Sequence, residues 1–280
     1  MARGGGCGVR QIIFESANLK VVKVPGRASE TVFVTFESLR PERPHDREGF
    51  GESFFASREL TAYHFMPNGN CWYQYPEMPE ALARVRADMP DGARVIAYGM
   101  SMGGYAACRF SEPLRADAVI AFSPQYSIDR WRVWWERRWK SDSRSVIWDR
   151  QKPREEAAKF VFYDPLNQDR RHMRALAREA DLKPVRIYFS GHVTIAFAQE
   201  CGLLERAVLD IAQGSFDAAR FERRAWQQRH TCATYAKIRR RKATGLFRRL
   251  RYVLIERRLE RRLGGGEKGA PARRLPDSAV

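Results

Sequence analysis

Long apolar runs are missing from these 280 residues. No stretch approaches the roughly 18 consecutive apolar residues of a helical membrane span, and the start, Met1 to Gly8, lacks the apolar centre of a secretory signal. A cytoplasmic protein is therefore expected. Cysteine is sparse and scattered: Cys7, Cys71, Cys108, Cys201 and Cys232 are odd in number and form no C-x-x-C pair, which argues against a disulfide framework or a zinc site. Negative charge is short mainly in one region. From residue 215 onward 19 Lys and Arg face 6 Asp and Glu, so of the net +17 only +4 falls on residues 1–214. A nucleic-acid role read from the overall charge would mistake an appendage for the body, and no known nucleic-acid module is visible. What remains is the balance of a packed protein, 44% hydrophobic and 30% charged, which excludes intrinsic disorder and leaves room for one sizeable core.

Up to residue 214, short β-rich runs alternate with segments of helical period, the pattern of an α/β fold with a largely parallel sheet. Residues 11–15 and 19–24 flank the short polar connection Ser16-Ala17-Asn18 and read as an antiparallel hairpin. Further strands are expected over 31–36, 61–65, 94–98, 118–122, 159–163 and 185–189, making eight. Helices are expected over 78–88, 102–111, 170–180 and 194–213, the last broken at Gly202. Residues 129–158 interrupt the alternation. They carry Trp131, Trp134, Trp135, Trp139 and Trp148, five of the seven tryptophans, among nine basic and six acidic residues.

The most specific motif is Gly99-Met100-Ser101-Met102-Gly103, placed after an apolar strand and before a helix that opens with small residues. A serine in a tight strand-to-helix turn has a strained backbone and needs glycine two positions to either side, where strand and helix approach each other. Its hydroxyl then projects at a helix N-terminus, and the N–H of Met102 would supply half of an oxyanion hole. A serine needs a base, and the base needs an orienting carboxylate. His192 follows the strand 185–189 in Ser190-Gly191-His192, at the same sheet edge as Ser101. The other histidines are poorer candidates: His45 in a polar loop, His64 within a strand, His172 at a helix start and His230 in the basic tail. For the acid, Asp164 stands directly at the end of the strand 159–163 and is the preferred candidate. Asp169 is the rival, although it could equally cap the helix expected from Arg170.

The order Ser101, Asp164, His192 on successive strand ends resembles the α/β-hydrolase superfamily, over roughly residues 10–214. The resemblance implies an eight-stranded, mostly parallel sheet with helices on both faces and its second strand antiparallel. The nucleophile then follows the fifth strand, the acid the seventh and the histidine the eighth. It also implies a serine hydrolase of esterase or thioesterase type, working through an acyl-enzyme with no metal or organic cofactor. An acyltransferase differs only in the acceptor. One departure matters: the third strand ends in Phe36-Glu37-Ser38 without a His-Gly-Gly loop, leaving the second oxyanion donor to the N–H of Glu37 or a neighbour.

Around this centre, Asn70, Trp72 and Gln74 sit in a loop after the fourth strand with the composition of a pocket wall. The insertion after the sixth strand occupies a lid position. Trp131, Trp134, Trp135 and Trp139 fall roughly on one helical stripe, and Trp131 is a candidate contact for an acyl or glycan ester substrate. Residues 215–263 read as a basic helical extension packed through Phe221, Trp226 and a Leu246, Leu250, Leu254 stripe, and 264–280 as a disordered tail. An anionic membrane surface or an acidic partner could engage 216–263. A non-catalytic interaction protein on the same scaffold is the alternative to an enzyme.

Overall fold

The structure is a computed structural model and describes residues 9–44, 46–139, 146–242 and 245–265. Cys7, His45 and nearly all of the expected tail 264–280 lie outside them. Eight strands form one sheet: β1 (Gln11–Glu15), β2 (Leu19–Val24), β3 (Ala28–Phe36), β4 (Leu60–Pro67), β5 (Arg94–Met100), β6 (Ala118–Phe122), β7 (Ala158–Tyr163) and β8 (Lys183–Arg186). Their spatial order is β1-β2-β4-β3-β5-β6-β7-β8. β2 runs antiparallel to both neighbours, and every pair from β4 to β8 is parallel. The last strand ends three residues before the sequence suggests. Its continuation closes into a turn in which the Ser190 hydroxyl donates to the Ile187 carbonyl and Phe189 takes a left-handed φ of 62°.

The central strands are apolar on both sides, as a sheet covered on both faces requires. Val34, Ala97, Val119 and Val161 join the cluster on one face, while Phe33, Ile96, Ile120 and Phe162 join the other. The first face carries α2 (Met78–Asp88), α3 (Met102–Arg109) and α4 (Asp169–Leu176). On the second lie α1 (Glu52–Ser57), which has no clear periodic signal, and α5 (Thr194–Glu200) and α6 (Leu204–Ala212). The break between α5 and α6 falls at Gly202, whose φ of 64° a residue with a side chain adopts only with strain.

The basic extension folds as α7 (Ala218–Gln228), a 3₁₀ turn (Arg229–Thr231), α8 (Ala233–Lys242) and α9 (Leu246–Leu263). Phe221 and Trp226 are buried in the second cluster, as expected. The leucine stripe does the opposite of what its spacing suggests. Leu246, Leu250 and Leu254 are 71%, 54% and 64% exposed, and α9 packs through Tyr252, Ile255, Leu259 and Leu263 on its other side. Two apolar stripes share this helix, and tertiary contact selects the one carrying the tyrosine, which packs on Phe189 at 5.8 Å. Among the described residues, no helix is long and apolar enough to cross a membrane.

Candidate active site

Ser101 joins β5 to α3 with φ 54° and ψ −114°, a strained backbone for a residue with a side chain. Its N–H donates to the Phe122 carbonyl at 2.8 Å, tying the turn to β6. The flanking glycines are steric necessities. A Cβ on Gly103 would lie 2.0 Å from the Phe36 carbonyl oxygen, and one on Gly99 would lie 2.4 Å from the Gly103 carbonyl carbon. Ser101 stands at the N-cap of α3 but its hydroxyl makes no capping bond, which leaves Oγ for other partners.

That partner is His192. Its Nε2 lies 2.9 Å from Ser101 Oγ, and its Nδ1 lies 2.7 Å from Oδ2 of Asp169. A carboxylate on Nδ1 selects the tautomer with the proton there, so that Nε2 accepts from the serine hydroxyl. Asp169 is 1% exposed. Burial opposes its ionisation, yet the hydrogen bond from His192 and the charges of His192 and Arg138 hold its carboxyl below the usual carboxylate range.

The acid preferred from the sequence, Asp164, is not against the imidazole. Its Oδ2 accepts the Gly191 N–H at 2.9 Å and its Oδ1 the Leu166 N–H at 2.8 Å. A carboxylate at the very end of β7 meets the backbone of the histidine loop, whereas one a turn further on, at the start of α4, reaches the ring. Asp169 is also not the cap of α4, a position held by Gln168, so its carboxylate is free for His192.

The N–H of Met102 is the first of α3 and has no acceptor in the i→i−4 pattern. Glu37 does not match the second expectation. Its N–H points at the Phe65 carbonyl at 3.4 Å, continuing the sheet, and its buried carboxylate pairs with Arg43 at 2.8 Å and Arg47 at 3.0 Å. The next amide, Ser38, is the neighbour that remains.

Of the expected pocket residues, none touches the Ser101 hydroxyl. Asn70 accepts from the Arg40 N–H and from Arg43, and donates to the Arg40 carbonyl, which braces the loop after β3. Trp72 is fully buried behind Trp139, with ring centroids 5.6 Å apart. Gln74 accepts the Ile147 and Trp148 N–H groups and so fastens the insertion to the body. Trp131 is 79% exposed beside Arg130 and faces away from the core.

Among its described residues the insertion contains no helix, so the expected tryptophan stripe does not form. It is a chain of turns fixed by charge. The Asp129 carboxylate accepts the Trp131 N–H, Arg132 pairs with Asp149 at 2.6 Å, and Arg138 bridges Glu136 and Asp169. Three residues of the site were missed. Trp139 lies 6.1 Å from the His192 ring, Arg138 holds the second oxygen of Asp169, and Gln125 places Oε1 3.4 Å from Ser101 Oγ. Gln125 is fully buried, and its Nε2 has no hydrogen-bond partner among the described residues. It follows β6 at the same sheet edge, and the rule that located His192 could have found it. Among the described residues no group of three or more His, Cys, Asp or Glu converges as a metal site.

The chain is similar in structure to a variant of the capsule O-acetyltransferase of Neisseria meningitidis serogroup A in complex with CoA. That match has 13% identity, covers 71% of this chain and 94% of that one, and has a TM-score of 0.51. It is also similar to the native form of Est2, a thermophilic esterase of Thermogutta terrifontis, with 15% identity, 75% and 91% coverage and a TM-score of 0.49. No family model and no curated protein sequence matches the chain. With the eight-stranded order and the Ser101 turn described above, the fold is that of the α/β-hydrolase superfamily.

Proposed function

We propose that this protein is a serine acyl-transfer enzyme, an esterase or thioesterase, acting on a small acyl or glycan ester. The observation that carries the reading is the unbroken chain Ser101 Oγ, His192 Nε2, His192 Nδ1, Asp169 Oδ2, with both hydrogen bonds under 3.0 Å on a strained turn. Ser101 Oγ attacks the acyl carbonyl carbon as its proton passes to His192 Nε2. Asp169, already ionised, faces the imidazolium that forms. The oxyanion is received by the N–H of Met102 and, in this reading, that of Ser38. Collapse of the intermediate expels the leaving group, which takes the proton from His192 and leaves an acyl-Ser101. Water then donates a proton to His192 and attacks the acyl carbon, and collapse of this second intermediate breaks the bond to Ser101 Oγ, which takes the proton back from His192 as the acid leaves.

An alcohol in place of that water turns the same steps into an acyltransferase. The acetyltransferase neighbour with bound CoA favours keeping this as the second reading. So does the enclosure of Ser101, 5% exposed, with Trp139 beside the histidine. A binding protein without chemistry has no physical need for the aligned tautomer or the strained serine. The test is turnover of p-nitrophenyl acetate and a short thioester by purified protein, with and without glycerol or an oligosaccharide acceptor. Wild-type turnover that Ser101→Ala abolishes without changing the melting temperature is expected. Equal rates in the two proteins would overturn the reading.

A further inference from the structure

Among the concave surfaces that the acyl-transfer chemistry does not use, one combines arginines with aromatic rings. Between the insertion and α4 lies a pocket of about 500 Å³, within the size range that takes a small ligand. Tyr126, Trp134 and Trp135 line it together with four arginines, and no carboxylate is among its described lining residues. One of the four, Arg132, is neutralised by Asp149 and Glu179, each at 2.6 Å. The other three are Arg171, Arg174 and Arg178. They are exposed, and none forms an ion pair among the described residues.

These three stand at i, i+3 and i+7 on α4 and the helical turn that extends it, where the Arg178 N–H donates to the Ala175 carbonyl. Side chains at that spacing are neighbours on one helix face, and like charges there repel. Such a row is relieved by an anion. A single carboxylate or phosphate is satisfied by one or two guanidinium forks, whereas a row of three suits a chain of two or more phosphates.

The aromatic side of the pocket has the complementary property. Trp135 is occupied, packed on His172 at 4.5 Å with Arg171 over its ring at 5.5 Å. Trp134 is 77% exposed and leaves an indole plane open next to the arginines. Planar bases stack on such rings. We infer that this pocket binds the base and phosphate chain of a nucleotide, either free or as the carrier portion of an acyl thioester. The thioester form rests on the acyl-transfer reading, while nucleotide occupancy does not.

The pocket also has a physical route to the triad. His172, under Trp135, bonds through Nε2 to Glu136 at 2.8 Å, and Arg138 joins Glu136 to Asp169. A ligand against Trp134 and Trp135 therefore grips the loop that supports the triad acid.

The test is isothermal titration of the full-length Ser101→Ala protein with ADP, CoA, adenosine, pyrophosphate and a sulfated oligosaccharide. ADP or CoA is expected to bind at least about tenfold more tightly than adenosine or pyrophosphate. The double variant Arg174→Ala/Arg178→Ala is expected to lose about tenfold or more in nucleotide affinity, with a shallower salt dependence, and Trp134→Ala about tenfold. Circular dichroism and melting temperature check the fold of these surface variants. CoA tighter than ADP supports the thioester carrier, and ADP equal to or tighter than CoA supports a free nucleotide. No nucleotide binding, binding indifferent to these substitutions, or binding of the oligosaccharide alone overturns the proposal. Fluorophosphonate labelling of the wild type, read in parallel, separates the two claims. Labelling without nucleotide binding removes only the pocket, and binding without labelling removes only the acyl-transfer reading.

Discussion

Arg138 reaches from the tryptophan-rich insertion to Oδ1 of Asp169 at 2.8 Å, while Oδ2 of the same carboxylate faces His192 at 2.7 Å. The insertion therefore braces the carboxylate that faces His192. Glu136 pairs with the same guanidinium nitrogen, Nη2, at 2.6 Å and is itself fixed by His172. Although burial works against it, these partners keep the Glu136 carboxyl well below the ordinary range.

Arg138→Met removes a positive charge from Asp169 and frees the insertion. The imidazolium formed during catalysis then meets a carboxylate whose charge is no longer shared. The acid limb of the kcat/KM profile should move to higher pH, with kcat down by about tenfold through looser positioning. Arg138→Lys should restore much of kcat and return the limb toward its original place. A variant with lower stability but an unmoved profile would assign Arg138 to packing alone.

Asp164 and Asp169 should separate cleanly. Asp169→Asn is expected to cost roughly 10³ to 10⁴ in kcat with little loss of stability, because the tautomer is no longer enforced. Asp164→Ala removes the acceptor of the buried Gly191 N–H and of the half-buried Leu166 N–H and should cost roughly 2–4 kcal/mol in urea unfolding. Equal kinetic penalties in the two variants would contradict this division.

Gly103→Ala places a Cβ 2.0 Å from the Phe36 carbonyl oxygen, an overlap that backbone, not a flexible side chain, must relieve. A loss of more than about 4 kcal/mol, or failure to accumulate as folded protein, is expected. Gly92→Ala is the control. Its Cβ position is open, and the cost there is confined to its φ of 72°.

Stability should fall below about pH 6.5. Burial and the charge of Arg10 lower the pKa of His64 from 6.5 to about 3, and burial also lowers that of His172. The unfolded chain then binds protons that the folded chain refuses, so stability is full above 6.5 and is lost as pH drops toward the folded values. Between pH 7.5 and pH 5 His64 alone should remove about 2 kcal/mol. Urea midpoints at the two pH values measure this, and His64→Asn should narrow the difference.

Most of the frame was legible because it depends on local pattern. Alternating apolar runs marked all eight strands, and the glycines around Ser101 marked the turn because its sterics are local. The acid was not legible in the same way. Asp164 and Asp169 lie five residues apart, and which one meets His192 depends on where β8 ends and how its loop returns. The insertion failed as a helix because its conformation is set by distant partners: Arg132 by Asp149 and Glu179, Arg138 by Asp169. Periodicity carries no record of such pairs. The same holds for α9, whose two apolar stripes are indistinguishable until Phe189 and Trp226 are in place beneath one of them.

We propose Ser101 as an activated nucleophile held by His192 and Asp169. Intact-mass measurement after fluorophosphonate treatment tests it most directly, on wild type, Ser101→Ala, His192→Ala, Asp169→Asn and Asp164→Asn. One adduct is expected on the wild type, none on Ser101→Ala, labelling slowed by at least about a hundredfold in His192→Ala and Asp169→Asn, and near wild-type labelling in Asp164→Asn. A folded wild type that takes no adduct, or an adduct that survives Ser101→Ala, would contradict it.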